Sequence, residues 1–167
     1  MQVRRTDKLR REAQYHHLKE YMDHVVDYYR QLERVQGPIM IKRVYIASDD
    51  STVFKEAVHE YPQFKFLFDD GVSKLAGDYR HRYSESSLQG LIQDIFHLSE
   101  TDFIVCTFSS QVCRMAYELM QTRHVDASGA FRSLDDRWYF GGGRAELLIV
   151  VEKHEPEVSG ALLGTWT

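Results

Sequence analysis

The sequence predicts an α/β domain built on a mostly parallel sheet. Short apolar runs of strand length alternate with segments of helical periodicity, which is the pattern of βαβ units. The chain has 167 residues, about one domain, with an apolar share of 43% that is ordinary for a globular protein. Polar pairs follow several of the apolar runs, as expected where the strands of such a sheet end.

The elements follow in order. Residues 2–5 read as the end of a strand. A helix is predicted over about 16–35, because Leu18, Tyr21, Met22, Val25, Tyr28, Tyr29, Leu32 and Val35 keep helical spacing, and Gly37-Pro38 ends it. Residues 43–47 form a buried strand with Val-Tyr-Ile at its centre. Asp49, Asp50 and Ser51 offer caps for a helix reaching about Tyr61, where Pro62 stops it. Residues 64–68 are a third strand. A polar stretch covers 69–85. Ser86 or Ser87 caps a helix carrying Leu88, Leu91, Ile92, Ile95 and Leu98. Residues 102–107 are a fourth strand, and Ser109-Ser110 opens a helix through about Gln121. A loop crosses 123–143, and 146–151 is a last strand.

Composition narrows the function. The formal charge is -4 with both signs interspersed, which argues against nucleic acid as a partner, because phosphate-backbone binding needs a strongly basic face. No apolar run approaches the ~20 residues of a membrane span. The start, Met1-Gln2-Val3-Arg4-Arg5, has no leader character. Cys106 and Cys113 form neither a C-x-x-C pair nor a zinc pattern, and free thiols in a core are the plain reading of them.

Parallel sheets bind ligands beyond the carboxyl ends of their strands. Arg4-Arg5 closes the first strand, Asp49-Asp50 follows the second and Ser109-Ser110 the fourth, so all three pairs are expected at one edge. Arginine presents a planar fork that matches phosphate oxygens. A serine at a helix start stands beside free N–H groups and the positive end of the helix dipole. Together they make a pyrophosphate cradle, with a solvated terminus as the alternative for the arginines. No G-x-G-x-x-G, G-x-x-x-x-G-K-[ST] or G-x-S-x-G occurs. The absence of an Asp-x-Asp motif favours neutralisation by side chains over a metal. Asp49-Asp50 fits helix capping better than metal ligation.

Longer stretches are more specific. Val3-Arg4-Arg5-Thr6-Asp7-Lys8, Glu20-Tyr21-Met22, residues 43–50, Arg82-Tyr83-Ser84-Glu85-Ser86-Ser87-Leu88, residues 102–114, Ser133-Leu134-Asp135-Asp136 and Tyr139-Phe140-Gly141-Gly142 occur in the order and spacing of one family. Over about residues 2–152 the chain resembles the donor-binding half of the catalytic domain of α-1,6-fucosyltransferases. Related forms of the first motif occur in bacterial nodulation fucosyltransferases and protein O-fucosyltransferases.

The resemblance implies a Rossmann-like half of a truncated GT-B-like domain over residues 1–152. Residues 153–167 are then a divergent tail where the family's SH3-like domain would begin. It implies inverting, metal-independent transfer of fucose from GDP-fucose to the 6-hydroxyl of the innermost GlcNAc of N-glycans, with no cofactor beyond the donor substrate. Arg4 matches the main pyrophosphate arginine with Arg5 beside it, Ser110 a second phosphate contact, and Asp94 the guanine-binding aspartate. Glu12 matches the catalytic base and Lys8 the lysine that assists it. Asp135 and Asp136 match acidic residues that hold an outer GlcNAc of the acceptor, and Cys106 and Cys113 a disulfide. The family works in the Golgi lumen, and its full-length form allows a homodimer.

Two positions depart from the family pattern. Gln2 stands where a histidine is expected, and Leu9-Arg10-Arg11 replaces a smaller, Gly-containing stretch. The family's anchor, coiled coil and first catalytic half are not represented, so the chain is expected to be a fragment, a truncated gene product or a degenerate copy. The alternative is a non-catalytic remnant that binds guanine nucleotide weakly or not at all.

Overall fold

The computed structural model describes residues 1–5, 15–77 and 84–135. Within them helices and strands alternate: β1 (Gln2–Val3), α1 (Leu18–Gln36), β2 (Lys42–Tyr45), β3 (Ala47–Ser48), α2 (Thr52–Glu60), β4 (Phe64–Leu67), α3 (Asp70–Gly77), α4 (Glu85–Ser99), β5 (Ile104–Cys106), α5 (Gln111–Arg123) and β6 (Phe131–Ser133). The strands form three pairs, β1 with β3, β2 with β4 and β5 with β6, and each pair is parallel. This is the α/β architecture with parallel pairing that the alternation predicts.

The apolar spacing of α1 buries Leu18, Tyr21, Met22 and Val25 against Val3, Val44, Ile46, Val53, Phe54 and Ala57. Glu20 accepts the His17 N–H at 2.7 Å and so satisfies a donor at the start of the helix. Gly37 ends the helix at φ 83°, a left-handed conformation that favours glycine, and its N–H donates to the Glu33 carbonyl at 3.0 Å. A second cluster joins Ile95 and Leu98 of α4 to Ile104 and Cys106 of β5 and to Cys113, Ala116 and Met120 of α5. The first cluster takes in Val3 of β1 and Val105 of β5, and the second takes in Ala47 of β3 with Ile104 and Cys106 of β5.

Several elements differ from expectation. The predicted strand over 43–47 is two short strands, β2 and β3, with different partners. Residues 70–77, read as part of a polar stretch, are the helix α3. Asp69 Oδ1 accepts the Gly71 and Val72 N–H groups at 2.8 and 3.1 Å and so caps it. Residues 131–133, read as loop, are β6. The cap of α4 is Ser84, whose Oγ accepts the Ser87 N–H at 3.2 Å, rather than Ser86 or Ser87.

The inward face of α4 also differs. Ser87, Gly90, Asp94, Ile95 and Leu98 are buried, whereas Leu88, Leu91 and Ile92 are 55, 38 and 43% exposed. The reason is steric and polar. Helix α3 packs closely on Gly90, where an added Cβ would lie 2.6 Å from a Val72 methyl, and Asp94 turns inward to meet Tyr45. The expected strand over 146–151 and the tail 153–167 lie outside the described residues. Among the described residues no helix is long and apolar enough to cross a membrane.

Candidate functional site

The parallel register aligns the strand ends. Gln2 pairs with Ala47 and Val3 with Ser48, so Arg4 and Asp49 leave the sheet side by side. Asp49 binds both arginines. Its Oδ1 accepts the Arg5 N–H at 2.9 Å, and its Oδ2 lies 4.0 Å from Arg4 Nε. Gly77 presses on the same turn: a Cβ there would stand 2.7 Å from the Asp49 carbonyl oxygen. The close approach of α3 thus requires glycine.

The adjacent arginines have different surroundings. Arg4 lines a cleft of about 270 Å³ together with Gln2, Ser48, Asp49, Leu91, Asp94, Gln111 and Val112. Arg5 turns to α2 and closes a two-armed pair with Glu56, Nη1 to Oε2 at 2.5 Å and Nη2 to Oε1 at 3.1 Å. That pair, through its hydrogen bonds, raises the Arg5 guanidinium above its ordinary pKa. The guanidinium also lies 5.6 Å from the Tyr15 ring centre.

Strand β5 delivers the third component. After Cys106 the chain turns through 107–110, with the Ser110 N–H bonded to the Thr107 carbonyl at 3.0 Å, and enters α5. Ser110 occupies the N-cap position in extended conformation, yet its side chain caps nothing. Its buried Oγ has no hydrogen-bond partner among the described residues. The first turn of a helix leaves N–H groups without helical partners, and Gln111 and Val112 bring that turn to the cleft wall. Cys106 and Cys113 are joined by a disulfide, with Cα atoms 6.2 Å apart, so strand end and helix start are covalently tied across the turn.

Asp94 comes from α4. It is buried, and the Tyr45 hydroxyl donates to its Oδ1 at 2.5 Å. Burial raises its carboxyl above the ordinary aspartate range, and the Tyr45 hydrogen bond opposes that shift. Asp94 and Val72 also border an adjoining groove of about 550 Å³ with Tyr45, Phe66, Phe68 and His97.

The structure therefore brings Arg4, Asp94 and the start of α5 to one cleft, turns Arg5 toward Glu56, and sets Asp135 against the 107–110 turn, where it accepts the Ser109 N–H at 3.2 Å. Lys8, Glu12 and Asp136 lie outside the described residues. Sequence reasoning missed Tyr45, Glu56 and Gly77, each of which acts through a partner distant in the chain. Gln2, where the family pattern has a histidine, lines the cleft, and its buried Oε1 has no hydrogen-bond partner among the described residues. Among the described residues no three His, Cys, Asp or Glu side chains converge as a metal site requires.

A family model described as alpha-(1,6)-fucosyltransferase N- and catalytic domains matches residues 1–139. The chain is 49% identical over 154 residues to the alpha-(1,6)-fucosyltransferase of Drosophila melanogaster, which covers 92% of this chain and 25% of that protein. It is 46% identical over 154 residues to the alpha-(1,6)-fucosyltransferase of Caenorhabditis elegans, covering 92% of this chain and 27% of that protein. The chain thus spans about a quarter of the length of the curated relatives it matches. With 139 of its 167 residues matched by the family model, the chain belongs to the alpha-(1,6)-fucosyltransferase family.

Proposed function

We propose that this chain is the donor-binding half of a GT-B-like fucosyltransferase domain, with a Rossmann-like arrangement, and that its cleft holds the nucleotide of GDP-fucose. The observation that carries the reading is the meeting of Arg4, Asp94 and the first turn of α5 at one cleft. Each supplies a different part of the recognition. The Arg4 fork and the α5 N–H groups take phosphate oxygens, with Ser110 as a further donor and Arg5 beside Arg4. Asp94 offers a carboxylate to the paired N–H donors on the edge of guanine, a pattern that adenine lacks. A ligand that supplies those donors also relieves the cost of burying the charged carboxylate.

In the proposed reaction Glu12 takes the proton from the 6-hydroxyl of the innermost GlcNAc of an N-glycan, with Lys8 assisting. The new bond forms from that oxygen to the anomeric carbon of fucose as the bond from the same carbon to the β-phosphate oxygen breaks on the opposite face. The configuration inverts and GDP departs. Negative charge grows on the leaving phosphate, where Arg4 and α5 already stand, so their stabilisation is greatest in the transition state. Asp135 and Asp136 hold the outer part of the acceptor. Neutralisation of the leaving phosphate by Arg4 and the start of α5 lets the reaction run without a metal. The working compartment is the Golgi lumen, and the Cys106–Cys113 bond suits an oxidising environment.

A second reading for the isolated chain is a nucleotide-binding segment that does not turn over. Calorimetry with GDP, UDP and ADP, beside a transfer assay with GDP-fucose and a biantennary N-glycan in EDTA, tests both. GDP is expected to bind and the others to bind far more weakly. A folded chain that shows no preference for GDP would overturn the nucleotide assignment, and binding without transfer would select the second reading.

A further inference from the structure

The turn between β5 and α5 is held by two side chains, one from the last residue of β6 and one from two residues beyond it. Phe108 donates its backbone N–H to Ser133 Oγ at 3.0 Å, and Ser109 donates its own to Asp135 Oδ1 at 3.2 Å. The Ser133 hydroxyl is directed at Asp135, whose carbonyl oxygen and Oδ1 lie 2.5 and 3.0 Å away. The register explains the meeting. Cys106 pairs with Ser133 at the ends of β5 and β6, and the Leu134 N–H donates to the Cys106 carbonyl at 2.9 Å. Past the last strand pair, the chain after β6 therefore runs alongside the turn rather than away from it.

These contacts divide the turn's donors into two sets. Phe108 and Ser109 give their N–H groups to Ser133 and Asp135. The Ser110 hydroxyl and the first-turn N–H groups of α5 are not drawn into that set. We propose that Ser133 and Asp135 are positioning residues for the anion-binding turn, fixing residues 107–110 in the conformation that presents Ser110 and α5 to the cleft. The inference rests on reading the cleft as a nucleoside-diphosphate site. It gives Asp135 a task on the donor side that a residue gripping only the acceptor glycan would not have.

The pair acts through hydrogen-bond acceptors, so the test separates acceptor capacity from charge. GDP affinity is measured by calorimetry for the 167-residue chain and for Ser133→Ala, Asp135→Ala and Asp135→Asn. Amide hydrogen exchange at Phe108 and Ser109 is followed in the same proteins without ligand. Loss of one such hydrogen bond is expected to weaken GDP binding roughly tenfold in Ser133→Ala and Asp135→Ala. Each should also lose exchange protection at the amide it served. Asp135→Asn keeps an oxygen acceptor and is expected to stay within about twofold of the unsubstituted chain. GDP binding as tight in Ser133→Ala and Asp135→Ala as in the unsubstituted chain would overturn the proposal. If the unsubstituted chain binds no GDP, the nucleotide reading fails instead. The amides then decide on the clamp, and equal exchange at Phe108 in Ser133→Ala and the unsubstituted chain rejects it.

Discussion

Tyr45 reaches from β2 to α4 and donates its phenolic hydrogen to Asp94 at 2.5 Å, making one hydrogen bond to a carboxyl whose burial still keeps its pKa raised. The phenol itself is held above its ordinary pKa, first by burial and then by this carboxylate.

The first prediction follows from the sign of the Asp94 shift. The folded chain holds the Asp94 proton more tightly than the unfolded chain does. The stability this contributes is present below the unfolded value of about 3.9 and is lost as pH rises through the raised folded value. Asp94→Asn keeps an oxygen for Tyr45 and carries no charge. Its stability advantage over the unsubstituted chain, from urea unfolding, should therefore be small near pH 4, grow as pH rises and then level off. The same substitution should weaken GDP binding. A constant stability difference across pH would show that Asp94 is not strained by burial.

The two arginines should separate in different assays. Arg4→Lys replaces a fork by a point charge at the cleft and should lower GDP affinity by about tenfold or more, with little change in stability. Arg5→Lys breaks a two-armed pair whose arginine side chain is 8% exposed. It should cost roughly 1–3 kcal/mol in stability and affect GDP binding less. Equal affinity losses in calorimetry would contradict this division.

Gly77→Ala tests the close approach to the acidic turn. The added Cβ meets backbone, the Asp49 carbonyl oxygen at 2.7 Å, which cannot rotate aside. A loss of about 1–3 kcal/mol is expected from such overpacking, read as a lower midpoint in urea. Gly90→Ala should be milder if the Val72 side chain can rearrange. The reverse order would mean that α3 is free to shift from Asp49.

The disulfide between Cys106 and Cys113 closes a short loop. Replacing both cysteines by serine should lower stability by roughly 2–3 kcal/mol, as should reduction by dithiothreitol. Thermal unfolding with and without reductant measures it, and a reductant-insensitive midpoint would show that the bond contributes nothing.

Long periodic segments were legible in the sequence. Leu18, Tyr21, Met22 and Val25 announce α1, and Gly37 its end, because both depend on neighbours within one or two turns. The short elements were hidden because distant partners decide them. Strand β6 exists through its pairing with β5, and its three residues carry no period of their own. Helix α3 begins in Asp69-Asp70-Gly71, which reads equally well as a turn until the Asp69 cap is seen. On α4 hydrophobicity misled, since Leu88 and Ile92 are exposed while Gly90 and Asp94 face inward. At the site, residue types and their place after strands gave Arg4 and the start of α5. They did not give the partner that occupies Arg5, because Glu56 lies 51 positions away.

The pairing of like-directed strands also shapes how the chain acquires its fold. Among the described residues no pair of strands is a hairpin. The shortest pairing, Lys42 with Phe64, encloses the whole of α2, and the pairing of Gln2 with Ala47 must wait for the chain to return from α1. Local contacts can form α1 and α5 quickly, but every ladder requires closure of a long loop before it is rewarded. Refolding should therefore be slow for a chain of this size, with helix signal preceding sheet. During synthesis β1 must leave the ribosome and remain unpaired until β3 has followed it.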